Sequence, residues 1–143
     1  MPAAPGYSGT PLPQKLGLRD GQRVLFVGLP AEMGALRQAR AFAEVDESGW
    51  DGLAAAAPGY DVIHGFTAAR AELTRGVGPL KARLKPAGAI WISWPKKASK
   101  VVTDIGEDTI REIALPLGLV DVKVAAVSEV WSGLKLVIRK ELR

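Results

Sequence analysis

Three short runs of almost unbroken apolar residues mark the chain, and between them apolar positions recur at helical spacing. Val24-Leu25-Phe26-Val27 ends at Gly28, the pattern of a central parallel strand covered on both faces. Met33, Leu36 and Ala39/Arg40 then recur at turn spacing and predict a helix over about 31–41. Residues 41–46 alternate and read as a second strand, and Trp50 to Ala57 reads as a helix stopped by Pro58-Gly59. Tyr60 to Phe66 is the third predicted strand. Leu73, Val77, Leu80 and Leu84 follow on one helix face. Gly76, Gly78 and Pro79 interrupt that face, so two short helices are expected, the second opened by Pro79 and ended by Pro86-Ala87-Gly88. Ala89 to Trp94 is the fourth strand.

Asp104 with Glu107 has the spacing of a capping box. The helix it opens carries Ile110, Ile113, Ala114 and Leu117 on one face and closes at Pro116-Leu117-Gly118. Two strands, about 119–128 and 133–141, end the chain. Val120, Val122 and Val124 alternate with Asp121 and Lys123, as in a strand with one wet face, and Trp131-Ser132-Gly133 would join the pair as an antiparallel hairpin. Pro2, Pro5, Gly6, Gly9, Pro11 and Pro13 make residues 1–13 an extended leader. Residues 14–18 have room for one helical turn, ended by Asp20-Gly21, and 14–143 read as one domain. Strands alternating with helices imply an α/β fold, a doubly wound, mostly parallel sheet with a C-terminal antiparallel hairpin.

Composition narrows the chemistry. Of 143 residues, 48% are hydrophobic and 24% charged, the balance of a globular chain with one core. No cysteine is present, which removes disulfides, thiolate metal sites and a cysteine nucleophile together. The N-terminus lacks the pattern of a secretory signal, and no apolar run approaches the ~18 residues of a membrane helix. A cytoplasmic, bacterial-type setting is the expectation. The net charge of +4 is uneven: residues 1–75 carry seven Lys/Arg against eight Asp/Glu, and 76–143 carry twelve against seven. Lys96, Lys97 and Lys100 cluster, as do Arg139, Lys140 and Arg143. Solubility explains this most simply; attraction to an anionic ligand or an acidic protein partner is the sharper reading. Nucleic-acid binding would call for a longer basic stripe. Trp91 and Trp94, three apart on a strand, also face opposite sides and form no stacking platform. Self-association stays open.

Several runs carry a resemblance. Leu16 to Leu25, Tyr60-Asp61-Val62-Ile63 and Leu84 to Ile90 resemble, in turn, the approach to the first strand, the fourth strand and the turn into the fifth strand of S-adenosylmethionine-dependent methyltransferases. The resemblance implies a methyltransferase-like Rossmann fold over roughly 15–140, with S-adenosylmethionine as the cofactor if the chain is an enzyme. More specifically, the chain resembles an uncharacterised bacterial family, the domain of unknown function 3052. The matching runs are Tyr7 to Pro13, Trp91 to Lys97, Ile110 to Pro116, Gly118 to Lys123 and Trp131 to Lys135. That family brings no activity with it.

The residues themselves speak against ordinary cofactor chemistry. A dinucleotide-type loop needs closely spaced glycines so that backbone N–H groups can reach the ligand. Here Gly28-Leu29-Pro30-Ala31-Glu32-Met33-Gly34 places a proline, which has no N–H, third in the loop. Asp46, 18 residues past Gly28, stands where a ribose-holding acid is expected, although a solvated loop is the plainer account. His64, the only histidine, sits inside an apolar strand and reads as a core residue rather than a general base. No residue set is assigned to catalysis, no metal site is expected, and no cofactor is predicted. Trp94-Pro95-Lys96-Lys97-Ala98-Ser99-Lys100 lies at the carboxyl end of the fourth strand, the rim where open α/β sheets bind ligands. Gly28, Asp46, Trp94, Lys96, Lys97 and Lys100 are therefore the candidate ligand-binding residues of a binding or regulatory module, with a divergent methyltransferase as the alternative.

Overall fold

The computed structural model describes residues 9–143. Most of the expected leader, residues 1–8, lies outside the described residues; within its remainder the chain already forms a helical turn, α1 (Leu12–Lys15). The strands β1 (Arg23–Val27), β2 (Glu44–Ser48), β3 (Tyr60–Phe66), β4 (Leu84–Pro95), β5 (Leu119–Ala126) and β6 (Trp131–Ile138) form one six-stranded sheet in the order β2-β1-β3-β4-β6-β5. The pairs β1–β2, β1–β3 and β3–β4 are parallel, whereas β6 runs antiparallel to both β4 and β5. The sheet is thus doubly wound, with the C-terminal hairpin at one edge.

Helices α2 (Arg70–Arg83) and α3 (Glu107–Ala114) pack on one face, where Leu25, Val27, Ile63, Ile90, Ile92 and Leu134 meet Leu73, Val77, Leu80 and Ile110. On the other face Phe26, Val62, Phe66 and Trp91 meet Leu16, Leu18, Met33 and Leu36. Continuous apolar strands are required because both faces are dry. Among the described residues, no helix is long and apolar enough to cross a membrane.

Several expectations need correction, each for a physical reason. The segment after β1 is a 3-10 helix, Ala31–Gln38, rather than an α-helix. Its core contacts, Met33 and Leu36, lie three apart, and three residues per turn put them on one line. The second strand starts at Glu44, not at 41, because Ala41 and Ala43 are tied to Asp20 and Gln22 in the turn before it. Between β2 and β3 only Leu53–Ala55 is helical, as 3-10, so the helix expected over Trp50–Ala57 does not form. Helix α2 runs unbroken through Pro79. Burial of Leu73, Val77 and Leu80 holds it, since tertiary packing rather than propensity supplies most helix stability.

Pro86-Ala87-Gly88 is part of β4, lying beside the register shift between Tyr60 and Val62 that lets a proline enter the strand. Asp104 does not cap α3. Gly106 occupies that position and its N–H donates to Thr109 Oγ1 at 3.1 Å. Trp131-Ser132-Gly133 opens β6, and the hairpin turn lies at 127–130, where Ser128 Oγ accepts the N–H groups of Val130 and Trp131.

Candidate functional site

In an open parallel sheet the ligand crevice lies past the carboxyl ends of the strands, where successive crossovers leave in opposite directions. Here that place is between β1 and β3. Gly28, at the end of β1, has φ +66 and is tied back by its N–H to Ser48 O at 2.9 Å. The left-handed turn explains the glycine.

The crevice is filled from within. Trp50, two residues past β2 on the crossover to β3, lays its indole between β1, β3 and α2. Its Nε1–H donates to Phe66 O at the end of β3, at 2.9 Å. Three glycines make room for the ring. A Cβ at Gly28 would lie 2.9 Å from Nε1, one at Gly65 would lie 2.8 Å from Cζ2, and one at Gly76 would overlap Cε3. A side chain at any of the three would collide with the indole. Sequence reading placed Trp50 in a helix and missed this role. The available signal was a glycine inside an apolar strand and another inside a helix, positions where glycine costs stability unless a bulky group comes close.

Other groups at this end of the sheet are also engaged internally. The backbone N–H of Arg70, at the start of α2, donates to Asp104 Oδ1 at 2.6 Å, so a carboxylate of the chain itself sits on the positive end of that helix. Thr103 Oγ1 donates to Ala68 O at 2.7 Å and fastens the same loop. Leu29 packs into the core beside Pro30, and Glu32 accepts a hydrogen bond from Trp131 Nε1 at 3.2 Å.

The residues expected at a ligand site are not gathered. Asp46 turns toward the start of β3, where Tyr60 Oη donates to its Oδ2 at 2.5 Å. Burial, then the Asp46 carboxylate, pushes the Tyr60 phenol up to about 12. These two line an open groove of about 370 Å³ with Leu25, Ser48, Gly52 and Ala56. Trp94 is a core residue, 7% exposed, and offers no face to a ligand. Lys96 is half-buried with its N–H on Val130 O, whereas Lys97 and Lys100 are exposed and Lys100 takes a left-handed backbone, φ +61. Val102, next along this loop, is 91% exposed.

His64 lies on the opposite sheet face from the indole. It is fully buried, stacked on Phe66 with centroids 4.1 Å apart, and its Nε2 is 2.7 Å from Ser93 Oγ. Burial pushes its pKa down to about 3, so the ring is neutral. It is a satisfied core residue.

No protein-family model matches the chain, and no curated protein matches it. Solved structures do share its fold. A SAM-dependent methyltransferase from Aquifex aeolicus superposes with a TM-score of 0.60 at 17% identity, covering 86% of this chain and 85% of the other. The magnesium protoporphyrin IX methyltransferase ChlM from Synechocystis, with bound SAH, gives 0.61 at 14%, covering 83% and 75%. The [4+2]-cyclase SpnF gives 0.64 at 13%, covering 90% and 79%. Against a mutant of MtNAS, at 0.62 and 12% identity, the chain spans only 57% of the other's length. At these identities the likeness is one of fold, and a cyclase among the neighbours illustrates how little a fold fixes chemistry. The fold of this chain is methyltransferase-like.

Proposed function

We propose that the protein is a non-catalytic binding module, a methyltransferase-like scaffold whose nucleotide crevice is filled by its own Trp50. The indole between Gly28, Gly65 and Gly76 is the observation that carries this reading. A crevice so filled does not fit an adenosyl group. Asp46, the acid placed to hold a ribose, is hydrogen-bonded to Tyr60 away from it. The exposed rim loop with Lys97, Lys100, Val101 and Val102 is the surface we assign to a partner, either an acidic protein or a small anionic ligand, in the cytoplasm. The resemblance to the uncharacterised bacterial family belongs with this proposal.

The test is calorimetry with S-adenosylmethionine to millimolar concentration, paired with a thermal shift. A ligand that binds only the folded state raises stability with the ratio of concentration to Kd. No heat and no shift are expected. A saturable shift overturns the reading and favours a divergent methyltransferase, the alternative supported by the likeness to structures such as ChlM with bound SAH. In that case Trp50 must leave its seat.

A further inference from the structure

We propose that the crevice is a built site for one flat, uncharged, fused-ring heteroaromatic group with an N–H donor, the class of indole and the purine bases, and that Trp50 is its tethered, removable occupant. This rests on the reading of the crevice as self-filled and goes beyond it, from a blocked site to one with a defined shape and ligand class.

The walls come from three elements. Gly28 ends a strand, Gly65 lies within another and Gly76 lies within a helix, and each lets backbone approach the ring where any side chain would collide. Glycine inside regular structure costs conformational entropy, so the space is kept against that cost. The slot is apolar beyond its walls, with Ile92 Cδ1 3.7 Å from where a Gly65 Cβ would stand. One polar feature orients the occupant: Phe66 O, which accepts from Nε1 at 2.9 Å. A ring N–H or exocyclic amine on a free heterocycle can make the same bond. No charge is needed to match the contacts seen, and an ionised ring would lose hydration on entry without a counter-charge among them.

The tether differs from the ring it carries. Gly49 has open space where a Cβ would stand, and Gly52 meets only ordinary contacts at 3.6 and 4.0 Å. Both are exposed, as is Asp51 between Trp50 and Gly52. The ring is gripped from three elements, while its flanking backbone is held only by local bonds, Ser48 Oγ to Gly49 O and Ala55 N–H to Gly52 O, which is the arrangement of a group able to swing out on a glycine hinge. A ring on so short a tether acts at an effective concentration of order millimolar. A free ligand therefore enters the wild-type slot only where its concentration over its Kd exceeds that effective concentration over the indole's own Kd, and Trp50 screens out weaker ligands.

The experiment uses the full chain with Trp50→Gly and two probes, indole and adenosine, read by thermal shift and calorimetry. The variant is expected to melt below wild type. Millimolar indole and adenosine should each raise its melting temperature saturably, and both should leave wild type unmoved at the same concentrations. No rescue by either probe, or an equal shift in wild type and variant, overturns the proposal. Gly76→Ala decides the case even if Trp50→Gly fails to fold. In protein labelled with 5-fluorotryptophan, its added Cβ should drive the indole out. The Trp50 fluorine resonance, identified by its loss in Trp50→Phe, should then move and become more sensitive to exchange of H2O for D2O than in wild type, where the residue is half-buried. An unmoved resonance refutes the tight fit. Failure here leaves the self-filled reading standing, whereas S-adenosylmethionine binding to wild type defeats that reading and leaves the slot.

Discussion

His64 should give this protein an acid limb in an unusual pH window. The ring is 1% exposed, packed on Phe66 and bonded to Ser93, and burial holds its pKa at about 3 against an ordinary value of 6.5. The folded state keeps the ring neutral while the unfolded state protonates it, so stability is fully present above pH 6.5 and declines as pH falls toward 3. Each pH unit in that span costs about 1.4 kcal/mol. By pH 5 the loss is about 2 kcal/mol, and over the whole span it approaches 5 kcal/mol, a large part of the total stability of a typical domain. The upper part of the window belongs to this residue alone among side chains, because the chain has one histidine and no cysteine. The carboxylates of Glu47 and Asp121, held low by the guanidiniums of Arg37 and Arg111, titrate well below it. Urea unfolding followed by tryptophan fluorescence at pH 7.5, 6.5, 5.5 and 5.0 measures the slope. The double variant His64→Phe/Ser93→Ala removes the titrating ring without stranding the serine hydroxyl, and should flatten the limb whatever its absolute stability. A slope equal to wild type in that variant would falsify the assignment.

Two further perturbations follow from the geometry. Asp104→Ala removes the carboxylate that accepts the Arg70 N–H, and should cost about 1 kcal/mol, as the loss of a helix N-cap does; urea midpoints at pH 7 check it, and an unchanged midpoint dissociates the contact from stability. Gly118→Ala forces a side chain onto φ +84 with its Cβ 2.5 Å from Leu142 Cδ1, and should cost about 1–2 kcal/mol from the backbone alone; a melting temperature within error of wild type would count against the left-handed turn.

The strands were legible because their physical requirement is local. Burial on both faces demands continuous apolar runs, and Tyr60–Phe66 meets that demand within its own seven residues. The C-terminal hairpin was legible as a pair of strands, but its dry face was not: Val122 and Val124, expected to be covered, are 53% and 45% exposed on the edge strand β5, beside the register shift between Asp121 and Lys123. Elements whose form depends on distant partners were not legible. Pro79 looks like a helix break until Leu73, Val77 and Leu80 are seen buried together. Asp104 and Glu107 have the spacing of a capping box, yet the carboxylate serves a helix 34 residues away in sequence. At the site the divergence is greatest. The loop Gly28-Leu29-Pro30 could be judged unsuited to a nucleotide from its own residues, but the side chain packed against its glycine is 22 positions further on, and only tertiary structure brings Trp50 to Gly28, Gly65 and Gly76.

The internal contacts around the crevice act together. Phe66 O holds Trp50, the first amide of α2 holds Asp104, Asp46 holds Tyr60, and Glu32 holds Trp131. Phe66 O, the Arg70 N–H and Glu32 lie at the carboxyl end of the sheet, where a ligand would be bonded, and each already has a partner in the chain. Entry of a nucleotide would have to break several of these bonds before forming its own. The rim loop presents the opposite case. Lys97, Lys100, Val101 and Val102 are exposed, so a partner binding there displaces water rather than protein. On the proposed reading, recognition at low cost falls to the rim, and the crevice responds only to a ligand able to outcompete Trp50.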